Sequence, residues 1–120
     1  MEKKKTLSER KREAILAAAI DEFRENGFQG TSMDRIAVRA EVSKRTVYNH
    51  FASKEALFEE ITESVWRRAL SAIQYEYQAN LGLEEQLIEI ANQEMALLST
   101  ESYVSVARMV FAEYLLAPSL

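Results

Sequence analysis

Lys44, Arg45, Thr46, Tyr48, Asn49 and His50 place six hydrogen-bond donors on one short stretch in which Val47 is the sole apolar residue. Lys44 and Arg45 are cationic at neutral pH, and Ser43 to Phe51 contains no acidic residue. A helix used for packing fills its outer face with a mixture of Glu, Lys and Ala. An acid-free run of donors is instead what a surface lying against phosphates requires. Base edges suit the same residues: Lys or Arg reaches guanine O6 and N7, Arg in bidentate fashion, and Thr or Asn can meet a thymine methyl or an adenine. Catalysis is poorly provided for. Cys is absent, which excludes disulfides and thiolate metal sites, and His50 is the single histidine, with no nucleophile or paired carboxylate near it in sequence. Three Gly leave no material for a phosphate-cradling loop. Neither an enzyme nor a cofactor or metal site is expected.

Those donors need a helix held at a fixed angle. Val47 and Phe51, spaced i, i+4, supply an anchoring face, and Ser43 caps the amino terminus. The preceding helix opens at Thr31-Ser32-Met33-Asp34 with a hydroxyl cap and an acid in its first turn, buries Ile36, Ala37 and Ala40, and turns through Glu41-Val42-Ser43. Two short helices with a tight turn make a helix-turn-helix. Upstream, Thr6 and Glu9 have capping-box spacing for a first helix with a stripe of Leu16, Ile20 and Phe23, ended by Asn26-Gly27. Downstream, Ser53-Lys54-Glu55 caps a long fourth helix carrying Phe58, Ile61, Val65, Ala69 and Ile73 and reaching about Asn80. Leu87, Ala91, Met95 and Leu98 define a fifth helix; Tyr103, Ala107, Val110 and Tyr114 define a sixth, closed by Ala117-Pro118. The fold class is all-α, divided into a helix-turn-helix domain over 1–52 and an incomplete helical regulatory domain over 53–120. Trp66, Tyr75, Tyr77, Met95, Met109 and Phe111 read as core at this spacing, with a small-molecule cavity as the alternative.

Charge follows the same division. The net charge is -4, yet residues 1–55 carry 12 Lys/Arg against 9 Asp/Glu and residues 56–120 carry 3 against 10. A basic part joined to an acidic one is the pattern of a nucleic-acid reader with an attached regulatory part. With no apolar run long enough for a membrane span and no apolar stretch at the charged amino terminus, a cytoplasmic protein is expected, and no membrane partner.

The chain resembles the TetR family of bacterial transcriptional repressors. The residues that carry the resemblance are Ile15-Leu16-Ala17-Ala18-Ala19, Phe23, Asn26-Gly27-Phe28, Thr31-Ser32-Met33, Ile36-Ala37, Ala40-Glu41-Val42-Ser43, Thr46-Val47-Tyr48, His50-Phe51 and Ser53-Lys54-Glu55-Ala56-Leu57, in family order and spacing. Arg45 stands where the family often has glycine, and the Lys-Arg-Thr-Val-Tyr version is similar to the AcrR-like and AefR-like branch. The family usually continues through further helices that complete a ligand pocket and a dimer interface. A chain truncated after its sixth helix is therefore expected, and the homodimer implied for a full-length protein is not implied for this one.

The resemblance implies a repressor that occupies a palindromic operator of double-stranded DNA as a dimer. Its recognition helices would stand about 34 Å apart, and a small hydrophobic effector would release it by shifting the fourth helix. It implies phosphate contacts from Tyr48 and His50, joined by Thr31, Ser32 and Ser43 at helix amino termini and by Lys54. Lys44 and Arg45, with Thr46 and Asn49 beside them, are the expected base-reading group. The alternative is a truncated interaction module that pairs with another regulator without binding DNA strongly itself.

Overall fold

The structure is a computed structural model that describes residues 4–72 and 76–116. Six helices and no strand occur among the described residues: α1 (Leu7–Asn26), α2 (Met33–Ala40), α3 (Lys44–His50), α4 (Lys54–Ala72), α5 (Leu83–Leu98) and α6 (Glu101–Leu116).

The caps fall where the sequence places them. Thr6 Oγ1 accepts the Glu9 N–H at 3.1 Å, Ser32 Oγ the Arg35 N–H at 3.2 Å, and Ser43 Oγ the Thr46 N–H at 3.0 Å. On α1 the buried face is Ile15, Ala18, Ala19, Glu22 and Phe23; the expected Leu16 and Ile20 flank it, half-buried. Glu22 tolerates burial because Arg35 Nε and Arg39 Nε of α2 stand 3.1 and 3.0 Å from its two oxygens. That pairing fixes α2 against α1.

Two glycines shape the α1–α2 corner. Gly27 closes α1 at φ 74° and ψ 169°, an essentially glycine-only conformation that costs an L side chain about 1–3 kcal/mol. A Cβ on Gly30 would stand 2.3 Å from the Asn26 carbonyl oxygen. Backbone, not a flexible side chain, would have to move. Gly30→Ala is therefore expected to lower stability by about 1–3 kcal/mol, checked by urea denaturation, whereas Gly82→Ala, with open space around it, should not.

The core gathers at the seam between α1, α4 and α6. Phe23, Phe28 and Phe58 meet with ring centroids 5.4 to 5.7 Å apart, and Tyr114 joins Phe58 at 5.9 Å. Two polar contacts bind the same seam through main-chain atoms of Phe28. Glu113 Oε1 of α6 accepts the Phe28 N–H at 2.9 Å, and Lys54 Nζ of α4 donates to the Phe28 carbonyl at 2.8 Å.

The fourth and fifth helices depart from expectation. The segment 76–78 is not helical, so α4 stops near Ala72 rather than Asn80 and spans about 28 Å; Ile73 and Tyr75 lie outside the described residues. Buried Gln86 holds that segment, accepting the Gln78 N–H at 2.9 Å and donating to the Gln78 and Leu81 carbonyls at 3.0 and 3.1 Å. It satisfies backbone groups that a continuing helix would have paired. On α5, the expected inner face of Leu87, Ala91, Met95 and Leu98 is exposed, and Gln86, Ile90, Gln93 and Leu97 face inward instead. Two of those four inward residues are glutamines, so the apolar period marks the exposed face. Tyr103 and Val110 of α6 are buried, with Ala107 and Tyr114 half-buried. Ala117 and Pro118 lie outside the described residues.

Candidate nucleic-acid interface

Helix α3 is seven residues long and hangs from two apolar pegs, Val47 and Phe51, both buried. The approach from α2 uses a left-handed residue, Glu41 at φ 58° and ψ 41°, after which the Val42 N–H reaches the Ala37 carbonyl at 3.1 Å. Arg12 of α1 fixes the far end. Its Nη1 donates to the His50 carbonyl at 3.2 Å and its Nη2 to both Glu60 oxygens at 2.7 and 2.6 Å, with the guanidinium 4.3 Å from the centre of the Phe51 ring. One side chain thus joins α1, the end of α3 and α4. Nothing in the spacing of Arg12 announced this role, because its partners lie 38 and 48 residues away.

With the pegs turned inward, the outer surface of α3 divides into two rows. Lys44 and Tyr48, one helical turn apart, face a shallow depression that they share with Ser32, Asp34, Ser53 and Lys54. Arg45 and Asn49, also one turn apart, form an adjacent fully solvent-facing row. The depression is open and polar, about 440 Å³ in volume, and is bordered by the amino-terminal ends of α2 and α4. It could accept a phosphate-bearing strand along its length, with the Arg45–Asn49 row standing free to enter a groove.

Individual residues fill more specific roles than their types imply. Lys44 Nζ lies 2.9 Å from Asp34 Oδ1; that hydrogen bond and the carboxylate charge raise the ammonium above its ordinary value. Lys44 is therefore a charge shared with α2 before any ligand arrives. Thr46 is half-buried with its hydroxyl 2.8 Å from Ser43 Oγ, so both hydroxyls serve the cap. His50 is half-buried beside the Phe51 ring, while Tyr48 is 47% exposed. Lys54 donates to the Phe28 and Thr31 carbonyls at 2.8 and 3.0 Å and sits 4.5 Å from the Phe28 ring centre. Two of its three ammonium protons are thereby engaged with the α1–α2 corner.

Thr31 requires correction as a phosphate contact at a helix amino terminus. It is buried, its hydroxyl lies 3.1 Å from the Glu22 carbonyl and 2.8 Å from that of Gly27, and its N–H donates to Phe28 O. Ser32, one residue on, is the exposed cap of α2. A hydroxyl pair in sequence does not reveal which member turns inward. In sequence Asp34 reads as a helix-opening acid; the fold makes it the partner that occupies Lys44.

The family model described as bacterial regulatory proteins, tetR family, matches residues 15–61, the span from the middle of α1 into α4. The whole described fold agrees with it: superposition on a TetR family transcriptional regulator from Pseudomonas syringae pv. tomato str. DC3000 gives a TM-score of 0.81 at 46% identity, over 93% of this chain and 58% of that one. The chain belongs to the TetR family. Relatives in sequence include the HTH-type transcriptional regulator RutR of Escherichia coli strain K12, 36% identical over 78 residues, or 62% of this chain and 37% of that protein. The HTH-type transcriptional regulator UidR of the same strain is 41% identical over 71 residues, 59% of this chain and 36% of UidR. The chain thus spans little more than a third of these curated relatives. The matched span of the TetR family model contains every residue of both α3 rows and of the depression beside them. Among the described residues no helix is long and apolar enough to cross a membrane.

Proposed function

We propose that the chain is the DNA-reading part, with some of the regulatory part, of a sequence-specific transcriptional repressor that binds a palindromic operator as a dimer. The observation that carries this reading is the double row on α3. Arg45 and Asn49 stand free in front, while Ser32, Lys44, Tyr48, Ser53 and Lys54 gather along a depression at their side. Base reading belongs to Arg45 and Asn49; phosphate contacts belong to Ser32, Tyr48, Lys54 and, once released from Asp34, Lys44. Ser43, Thr46 and His50 contribute at the ends of α3 by holding its geometry. Residues 1–52 act as the reading domain and 53–120 as part of the regulatory one.

Release would come from a small hydrophobic effector between α4 and α6. A cavity of about 300 Å³ lies there, lined by Val65, Trp66, Ala69, Tyr103, Phe111 and Tyr114 among others. Of the aromatic and Met side chains weighed as cavity or core, Trp66 and Phe111 stand on its wall, Met109 is buried, and Tyr77 and Met95 are exposed. Tyr114 also touches Phe58, so an occupant there presses on the aromatic seam that positions α1. An effector acts only by favouring one of the two arrangements.

The deciding experiment is binding to the DNA upstream of the chain's own gene against random duplex at moderate salt. Preference for the upstream DNA is expected; equal affinity for both would sink the sequence-specific reading. A second expectation concerns Asp34, which competes with phosphate for Lys44. Asp34→Asn should tighten DNA binding about two- to fivefold and steepen its dependence on salt by about one released counterion. Fluorescence anisotropy at several salt concentrations reads both.

One observation favours a second reading, an interaction module that pairs with another regulator. Leu83, Leu87, Ile88, Met95 and Leu98 of α5 are more than half exposed, and Leu115 and Leu116 of α6 are more so. Mixing with a full-length relative and finding no mixed species by native mass spectrometry removes that reading.

A further inference from the structure

A cleft of about 230 Å³ lies between α1, α4 and α6 and shares with the apolar cavity the wall made by Val65 and Tyr103. Its floor is apolar: Leu16 and Ile20 from α1, Ile61 and Val65 from α4, and Val106 from α6. Its rim is cationic, with Arg67 and Arg68 beside Ser64. The acidic half of the chain, residues 56–120, has three basic residues against ten acidic ones, and two of those three stand on this rim.

Neither arginine has a carboxylate within salt-bridge distance among the described residues, whereas Arg12, Arg24, Arg35 and Arg39 all do. The cleft's own acid, Glu60, is neutralised by Arg12 at 2.6 Å. Arg68 is held with its guanidinium carbon 5.1 Å from the centre of the Tyr103 ring, which orients the fork without consuming its donors. Two guanidinium groups above an aliphatic floor, one of them oriented by an aromatic ring, match one chemistry, a carboxylate on a short apolar body. At roughly 30 Å³ for each water-sized group, the cleft has room for about eight heavy atoms.

We propose that this cleft binds a short amphiphilic carboxylate of about the size of hexanoate, its head on Arg67 and Arg68 and its chain between Leu16, Ile20 and Val106. The site is independent of the DNA-reading proposal and distinct from the effector cavity. Because α1 supplies part of its floor, occupancy is registered directly in the helix that carries Arg12.

The test is titration of the chain with hexanoate, 1-hexanol and hexylamine by calorimetry and methyl NMR. Hexanoate is expected to saturate at one equivalent with shifts at Leu16, Ile20, Ile61 and Val106, while the alcohol and the amine bind at least about tenfold more weakly, the loss expected for hydrogen bonds to a charged group. Combined R67Q and R68Q should cost about the same factor. Ile20→Trp should block the cleft, and Ala69→Trp, which fills the neighbouring cavity, should leave binding in place. Equal binding of hexanol, retention of affinity in the double variant, or no saturation by about 10 mM would overturn the proposal. Loss of binding in Ala69→Trp alone would place the ligand in the other cavity and overturn it equally. If the double variant loses its fold by circular dichroism, Ile20→Trp and the hexanol comparison still decide.

Discussion

Phe58→Ala lowers the unfolding free energy by about 3–5 kcal/mol, the cost of deleting a fully packed aromatic side chain and leaving a cavity. The size of the effect follows from position. The Phe58 ring meets Phe23, Phe28 and Tyr114, which belong to α1, the α1–α2 corner and α6. Its removal therefore opens three interfaces at once and cannot be repaired by one neighbour moving in. A small domain has only about 5–15 kcal/mol in total, so this variant should populate unfolded molecules measurably at moderate temperature. Urea denaturation followed by Trp66, the single tryptophan, reads the change directly. Phe111→Ala is the control: that ring is 55% exposed, and its loss should cost well under half as much. Equal costs would mean that the aromatic seam does not carry the fold.

Arg45→Ala should cost about 1–3 kcal/mol in operator binding and relax preference at one base pair, while leaving binding to random duplex nearly unchanged. The expectation rests on isolation. Arg45 is exposed, stands beside Asn49, and makes no ion pair among the described residues, so its whole set of donors is free for a base edge. Tyr48→Phe makes the proper contrast, since it removes one hydroxyl from the depression and should weaken all sequences alike. Lys54→Ala is a poorer contrast than its exposed position in sequence implies. It deletes two hydrogen bonds to the α1–α2 corner and would lower stability along with affinity. A uniform loss from Arg45→Ala, measured by anisotropy over single-base operator variants, would transfer that residue to the phosphate group.

Local chemistry was legible in the sequence wherever one residue and its near neighbours decide the outcome. The caps at Thr6, Ser32 and Ser43 and the glycine stop at Gly27 depend on contacts within four residues, and the pegs Val47 and Phe51 are marked by their i, i+4 spacing. The helix-turn-helix was legible for the same reason, strengthened by a resemblance that extends over the same stretch. What escaped depends on distant partners. Glu22 looks like a surface acid until Arg35 and Arg39 are brought over it, and Lys44 looks like a free cation until Asp34 is found beside it. Thr31 and Ser32 are chemically alike, and only the packing of the corner sends one inward. In α5 two of the four inward positions are glutamines, Gln86 and Gln93, so the apolar pattern points to the exposed face. The end of α4 was misplaced because a single buried amide, Gln86, supplies from eight residues away the hydrogen bonds that a longer helix would have made.

The grip on Phe28 bears on how such a chain can change its DNA target. Glu113 and Lys54 hold residue 28 by its N–H and its carbonyl, groups that every residue other than proline possesses. The link from α4 and α6 to the α1–α2 corner is thus written in main-chain atoms, while the solvent-facing row on α3 is written in side chains that touch neither Glu113 nor Lys54 in any hydrogen bond. On the proposed reading, exchanging Arg45 and Asn49 for other residues retargets DNA binding without loosening the joint. The two can be re-engineered, or diverge in descent, as separate parts of one machine.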